Sequence, residues 1–244
     1  MVTDAFWARG IRLTSAYAAN ALPVAEYTLA HILLCLKRCW HFAWTLKHTG
    51  VFAAKDPVPG AYRRTVGVVS LGMVGRRVCE LLRPFDLEVI AHDPFAAPED
   101  FAALGAAPCG LDELFRRADV VTVHTPWLPE TEGLITGAHL ASMKPEAGFI
   151  NTARGAVVRE GEMTAVLKER PDITAVIDVT HPEPPPPDSP LFALPNVLLT
   201  PHIAGSMGQE CHRLGRCMVE ELDRFLSGQP MHYELDEEKA ARLA

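Results

Sequence analysis

Three polar residues in this 244-residue chain sit where they could act together on a small acid: Arg154, Glu183 and His202. Arg154 lies in Asn151-Thr-Ala-Arg-Gly155, and its planar guanidinium can hold a carboxylate by two parallel hydrogen bonds. His202 lies in Thr200-Pro-His-Ile-Ala-Gly205. Histidine titrates near neutrality, so it can give a proton to a carbonyl oxygen or take one from a hydroxyl. Glu183, in His181-Pro-Glu-Pro184, is the carboxylate that would fix the tautomer of such a histidine and raise its pKa. That set suits hydride transfer between a nicotinamide and the carbon of a 2-oxo or 2-hydroxy acid. Taken singly, a loop arginine is usually solvated and a histidine after a strand is usually structural. His124 and His181 keep that ordinary reading.

A second stretch supplies the place for a nicotinamide cofactor. Thr65 to Val69 is a run of small and β-branched apolar residues, as in a buried strand. It breaks at Ser70-Leu71-Gly72-Met73-Val74-Gly75, after which Val74, Val78, Leu81 and Leu82 recur at helical spacing. A further apolar strand, Leu87 to Ala91, leads to Asp93, 21 positions after Gly72. Strand, glycine turn, helix, strand and acid form a dinucleotide-binding βαβ unit. The amides at the helix start face a diphosphate and the helix dipole favours its charge, while Asp93 accepts hydrogen bonds from the ribose hydroxyls. The usual pattern has glycine at the first position, and here it is Ser70, which is expected to strain the turn or weaken cofactor binding.

These residues need a scaffold, and the rest of the chain supplies strands alternating with helices. Ile11 to Thr14 reads as a short strand. Val24 to about Lys47 reads as one long helix, with Pro23 in its first turn and apolar residues on more than one face, so it is expected to be buried between domains or subunits. Gly50 to Tyr62, with Pro57, Pro59 and Gly60, reads as a linker, and Pro94 to Asp100 as a loop. Short elements follow: an edge strand at Leu104–Ala107, helices at Leu111–Arg117, Gly137–Met143 and Arg159–Arg170, and strands at 119–124, 148–151, 173–177 and 197–200. Ser206 to Ser227 closes the series as a helix. The expected fold is α/β, a doubly wound parallel sheet of Rossmann type, with ligands beyond the carboxyl ends of the strands. Gly72, Asp93, Thr125, Arg154, Asp178 and His202 all fall at those ends.

Composition narrows the partners. A net charge of −7 argues against nucleic acid or an anionic membrane surface. The apolar stretch Tyr27–Leu46 carries His31, Lys37, Arg38 and His41, too many interruptions for a membrane span, and no secretory signal precedes it. Six cysteines without a C-x-x-C pair fit buried thiols in a reducing cytosol; a metal site from His31, Cys35 and Cys39 is the rarer alternative. Pro184 to Pro187 reads as a stiff surface loop rather than a polyproline ligand.

The motifs carry a family resemblance. Asn20-Ala-Leu-Pro-Val-Ala-Glu-Tyr27, Val66–Gly75, His124-Thr-Pro126, Met143-Lys-Pro145, Ile150–Gly155, Ile177-Asp-Val179 with Pro182-Glu-Pro184, and Leu194–His202 resemble the D-isomer-specific 2-hydroxyacid dehydrogenases. The resemblance runs from about Ile11 to Leu226. It implies an NAD-dependent oxidoreductase acting on a small 2-oxo or 2-hydroxy carboxylic acid. Arg154 would bind and activate the substrate, His202 would be the acid/base and Glu183 its partner. Asp178 would hold the nicotinamide carboxamide, and Thr125, Pro126, Thr152 and Ala153 would line the cofactor. Met73 stands where that family often has a basic residue. Only about twenty residues precede the long helix, where the family builds much of its substrate domain. The expected division is therefore 1–22 as a remnant of that domain, 23–205 as the NAD-binding domain, and 206–244 as a returning helix and tail. This would be a shortened gene product or a start assigned too far downstream. A homodimer through the long helix is expected. The competing readings are a non-enzymatic NAD-sensing module of corepressor type and an inactive remnant.

Overall fold

The computed structural model describes residues 2–54, 58 and 60–242; Pro57 and Pro59 of the expected linker, the first residue and the last two lie outside them. The elements in chain order are α1 (Asp4–Ala8), β1 (Leu13–Thr14), α2 (Tyr17–Leu36), α3 (Cys39–Thr49), β2 (Arg64–Val69), α4 (Met73–Leu82), β3 (Leu87–His92), α5 (Pro98–Leu104), β4 (Ala106–Pro108), α6 (Leu111–Arg117), β5 (Val120–Val123), α7 (Gly137–Ala141), β6 (Gly148–Asn151), α8 (Glu160–Glu169), β7 (Thr174–Ile177), β8 (Val197–Leu199), α9 (Cys211–Leu226), β9 (Glu234–Leu235) and α10 (Glu237–Arg242).

Seven strands form one parallel sheet in the order β4-β3-β2-β5-β6-β7-β8. The order reverses between β2 and β5, which opens a crevice at their carboxyl ends. Both faces are covered, as the unbroken apolar strands require. One core gathers Leu114, Phe115, Val121, Phe149, Leu167 and Ile173. The other gathers Ile32, Leu36, Val66, Val78, Leu82 and Ile150. A separate two-stranded sheet pairs β1 with β9 antiparallel, so the two ends of the described chain meet.

Several elements differ from the sequence reading. The single long helix is two helices. The first begins at Tyr17, so Pro23 lies inside it and the boundary expected at 22/23 falls within α2. The break comes at Lys37-Arg38, where Arg38 takes a left-handed backbone (φ 51°). Its guanidinium pairs with Glu146, 108 residues away, and lies over the Phe42 ring. A distant partner thus sets the bend. Only α2 is buried; α3 has no buried residue. By length and composition α2 could cross a membrane, but its apolar residues pack on α4 and β6 within the second core. The loop expected at 94–100 ends in α5, with Pro98 at its first position and the Asp100 carboxylate accepting the Ala97 N–H at 3.1 Å. Leu104 therefore closes a helix, and the edge strand starts at Ala106. A 3₁₀ turn at Gly208–Glu210 precedes the last long helix, which starts at Cys211. β9, α1 and α10 were not expected from the sequence. Among the described residues no His/Cys/Asp/Glu group has metal-site geometry, and Cys35 is instead a buried thiol whose pKa burial raises to about 12.

Candidate active site

The glycine turn occupies the crevice where the strand order reverses. Ser70 adopts φ +73°, the left-handed region that glycine takes without steric cost. The turn tolerates serine because it is held from both sides. The Ser70 N–H donates to the His92 carbonyl at 2.8 Å, and the Ser70 hydroxyl lies 3.0 Å from that of Thr125. A Cβ at Gly75 would sit 2.0 Å from the Ser70 carbonyl oxygen, so only glycine lets α4 start this close to β2. Gly72 faces open space, which leaves the α4 amides approachable by an anion. Closed at Gly75 and open at Gly72, the turn has the shape a diphosphate requires. Leu71 is buried, and its amide already donates to Asp93 Oδ2 at 2.7 Å. Asp93 Oδ1 accepts the Phe95 N–H at 2.9 Å. Asp93 therefore ties the end of β3 to the turn.

A cleft of about 250 Å3 runs along this edge. Its walls include Gly72, Met73 and Val74 together with Thr125, Pro126, Thr152, Ala153 and Arg154. Asn20 and Val24 of α2 also line it, and Arg242 of α10 reaches the same space. The Thr152 hydroxyl is buried against that of Thr28 at 3.2 Å. Arg154 is exposed, with Nη1 donating to the Ala153 carbonyl at 2.7 Å.

A second cavity, about 540 Å3, holds the other two members of the trio. His202 Nδ1 and Glu183 Oε1 are 2.6 Å apart. The carboxylate accepts the Nδ1–H, which leaves Nε2 to exchange a proton with a substrate oxygen. Both side chains are open to solvent, 46% and 41% exposed. His202 has φ +54°, a conformation held by its surroundings. Its N–H donates to the Asp178 carbonyl at 2.9 Å, and the Asp178 carboxylate accepts the N–H groups of Ile203 and Ala204, each at 2.9 Å. The Thr200 hydroxyl donates to the same carboxylate at 2.6 Å and also contacts Tyr27 of α2 at 2.9 Å. Asp178 is only 1% exposed, so it shapes the His202 segment from inside. The loop carrying Arg154 meets the segment leading to Glu183 at Gly155, where a Cβ would lie 2.1 Å from the Thr180 carbonyl carbon.

The sequence-derived residues thus divide between the cleft and the cavity. Arg154 belongs to the first, Glu183 and His202 to the second, and Asp93 lines a third hollow beyond β3. His124, at the end of β5, sits inward with Nδ1 unpartnered, and burial lowers its pKa to about 3. It stays neutral at physiological pH and is no rival to His202 as a proton carrier. Sequence reasoning missed Tyr27, Thr200 and Arg242. Their places depend on contacts 173 residues apart in one case and on the docking of the C-terminal helix in the other.

Residues 29–204 match the family described as D-isomer specific 2-hydroxyacid dehydrogenase, NAD binding domain. The chain is 34% identical over 226 residues to the D-3-phosphoglycerate dehydrogenase of Mycobacterium tuberculosis, covering 93% of this chain and 43% of that one. It is 32% identical over 227 residues to the glyoxylate reductase of Aeropyrum pernix, covering 90% and 68%. A solved D-isomer specific 2-hydroxyacid dehydrogenase from Xanthobacter autotrophicus, in complex with NADPH and MES, superposes with a TM-score of 0.77 at 28% identity, covering 93% and 92%. The chain spans less than half the length of the phosphoglycerate dehydrogenases it matches.

Proposed function

The chain belongs to the D-isomer specific 2-hydroxyacid dehydrogenase family and carries its NAD-binding domain, and from that membership we propose that it transfers hydride between NAD(H) and a small 2-hydroxy or 2-oxo carboxylic acid. The observation that carries the reading is the 2.6 Å His202–Glu183 contact, set beyond the carboxyl ends of the same sheet that presents the glycine turn. The cofactor, when bound, supplies or accepts the hydride. Gly72, Met73 and Val74 with the start of α4 receive its diphosphate, and Ser70, Leu71 and Gly75 shape that turn. Asp93 receives the adenosine ribose. Thr125, Pro126, Thr152 and Ala153 line the path toward the nicotinamide end, where Asp178 and His202 stand. Arg154 holds the substrate carboxylate and polarises its carbonyl. His202 Nε2 delivers or removes the proton on the substrate oxygen, and Glu183 keeps Nδ1 protonated and the ring oriented. Asp93 favours NAD over NADP, because a carboxylate repels a 2′-phosphate.

The reading extends to the molecule's surroundings. The segment 206–244 is a helix and tail that return to the first residues of the chain, where β9 pairs with β1, around an NAD-binding domain that starts within α2. Two chains associate through α3, which exposes Trp44 and Leu46 beside the exposed Phe52. A stable monomer at micromolar concentration in sedimentation would refute that. The six free cysteines support a reducing compartment such as the cytoplasm.

The function is tested by following NADH oxidation with a panel of 2-oxo acids, together with the pH–rate profiles of wild type and Glu183→Gln. Losing the carboxylate removes the acceptor of the His202 Nδ1–H, so the profile of Glu183→Gln should differ from that of wild type. Coincident profiles with activity retained would show that Glu183 is not coupled to the proton donor. Tight NADH binding without turnover of any acid would leave a dinucleotide-binding module in place of an enzyme.

A further inference from the structure

We infer that Arg242, on the C-terminal helix α10, is the cation that neutralises the bridging diphosphate of the dinucleotide, a role that rests on the cofactor reading above. The turn that would receive the diphosphate contains no basic side chain between Ser70 and Gly75, and Met73 is 43% exposed at its mouth. Arg76 follows, but it is committed elsewhere: Nε donates to the Leu71 carbonyl and Nη1 to Asp100, both at 2.8 Å. Two arginines line the cleft. Arg154 is folded onto its own Ala153 carbonyl. The other is Arg242, which lines the same cleft as Gly72, Met73 and Val74, with its guanidinium carbon 5.8 Å from the centroid of the exposed Phe95 ring. A guanidinium that lines the glycine-turn cleft and reaches Phe95, two residues after Asp93, borders the path of two phosphates between ribose and turn.

The position of Arg242 is built in. Glu221 of α9 is buried and accepts the N–H groups of His232 and Tyr233, at 2.8 and 2.9 Å, and the Thr14 hydroxyl at 2.8 Å. Arg12 holds Glu234 through two contacts, 2.5 and 2.7 Å. β9 is thereby fixed to β1, and α10 starts two residues after β9 ends. Without a ligand the Arg242 guanidinium donates to Glu238, one turn back, at 2.6 Å. Both side chains are well exposed, so this pair is weak and a phosphate can displace the carboxylate. The local sequence could not reveal this residue as part of the cleft, because it lies 169 positions after Met73.

The experiment is fluorescence titration of the full chain with NADH, NADPH and adenosine. Arg242→Gln should weaken NADH and NADPH binding alike, by about five- to tenfold at low ionic strength, and leave adenosine binding unchanged. The gap between wild type and variant should narrow as salt rises, because an exposed charge contact is screened. Arg242→Lys should recover part of the loss. Glu238→Gln, which frees the guanidinium, should tighten NADH binding by up to about twofold. Equal NADH affinity in wild type and Arg242→Gln would overturn the assignment, as would tighter binding in the variant, which would make α10 an obstruction. A loss confined to NADPH would place the contact on the 2′-phosphate and also overturn it. A wild-type chain that binds neither dinucleotide would sink the cofactor reading itself, a result distinct from either of these.

Discussion

The seven-stranded body and the small β1–β9 unit are held together by opposite means. The body is closed by two apolar cores, with Phe115, Phe149 and Leu167 wholly removed from solvent. Apolar burial of this kind depends little on pH or ionic strength. The terminal unit has two-residue strands and is latched instead by a carboxylate. Glu221 accepts three hydrogen bonds, and the Arg12–Glu234 pair closes the outer edge. The chemistry is divided in the same way. The body carries the glycine turn and the His202–Glu183 dyad. The terminal unit brings Arg242 to the cleft. A cofactor site can thus rest on an apolar sheet and still be adjusted by a latch that responds to charge.

Substitution at a close approach in the body should have the largest effect. At Gly155→Ala the new Cβ meets the Thr180 carbonyl group, which is backbone and cannot rotate away. Overpacking of this severity costs about 3 kcal/mol, near the upper end of the usual range. Thermal denaturation should show a lowered midpoint, and turnover should fall further than NADH affinity, because the Arg154 and Glu183 segments are pushed apart. A midpoint within a degree of wild type would mean that the two loops are not rigidly packed.

Next comes the latch. Glu221→Gln replaces one acceptor oxygen with a donor facing donors, at a cost of about 1.5–3 kcal/mol for hydrogen bonds to a buried charge. Hydrogen exchange should accelerate at Leu13, Thr14, Glu234 and Leu235 while β5 and β6 keep their protection. Equal acceleration in both regions would break the comparison and make the chain one cooperative unit. Acid should act in the same direction. Burial alone would raise the Glu221 pKa, but the Tyr233 N–H, the Thr14 hydroxyl and the His232 N–H together hold it below its ordinary value. Glu234, through Arg12, and Asp236, through the Lys239 N–H, are lowered too. Groups depressed in the folded state contribute stability that is full above the ordinary carboxylate pKa and is lost as pH falls through the folded value. The terminal unit should therefore release in the acid range below pH about 4.5, ahead of the body.

The smallest effect sharpens the turn. Ser70→Gly relieves a left-handed serine, worth about 1 kcal/mol, and gives up the contact with Thr125. NADH binding should tighten by a few-fold. Unchanged or weaker affinity would show that the serine hydroxyl stabilises the turn as much as its backbone strains it.

What could be read from the sequence follows the range of the forces involved. The strands of the sheet were legible because each is a short apolar run bounded by turn residues, and strand-end positions such as Asp93, Asp178 and His202 followed from them. The break between α2 and α3 was not, because a left-handed Arg38 is stabilised by Glu146, far along the chain. β9 and α10 were not, because their residues are mostly polar and their placement comes from Glu221. Asp178 was expected to face the cofactor, and its work in holding the His202 segment emerged only when Thr200, Ile203 and Ala204 were seen around its carboxylate.

The proposed function has the body bind the dinucleotide at one place and move the proton at another. It is tested most directly by measuring NADH affinity and 2-oxo acid turnover in parallel for wild type and His202→Ala. NADH affinity should be nearly unchanged and the rate lower by about 10²–10⁴-fold, the usual worth of a general acid. Turnover retained in His202→Ala, or a loss of NADH affinity as large as the loss of rate, would contradict it.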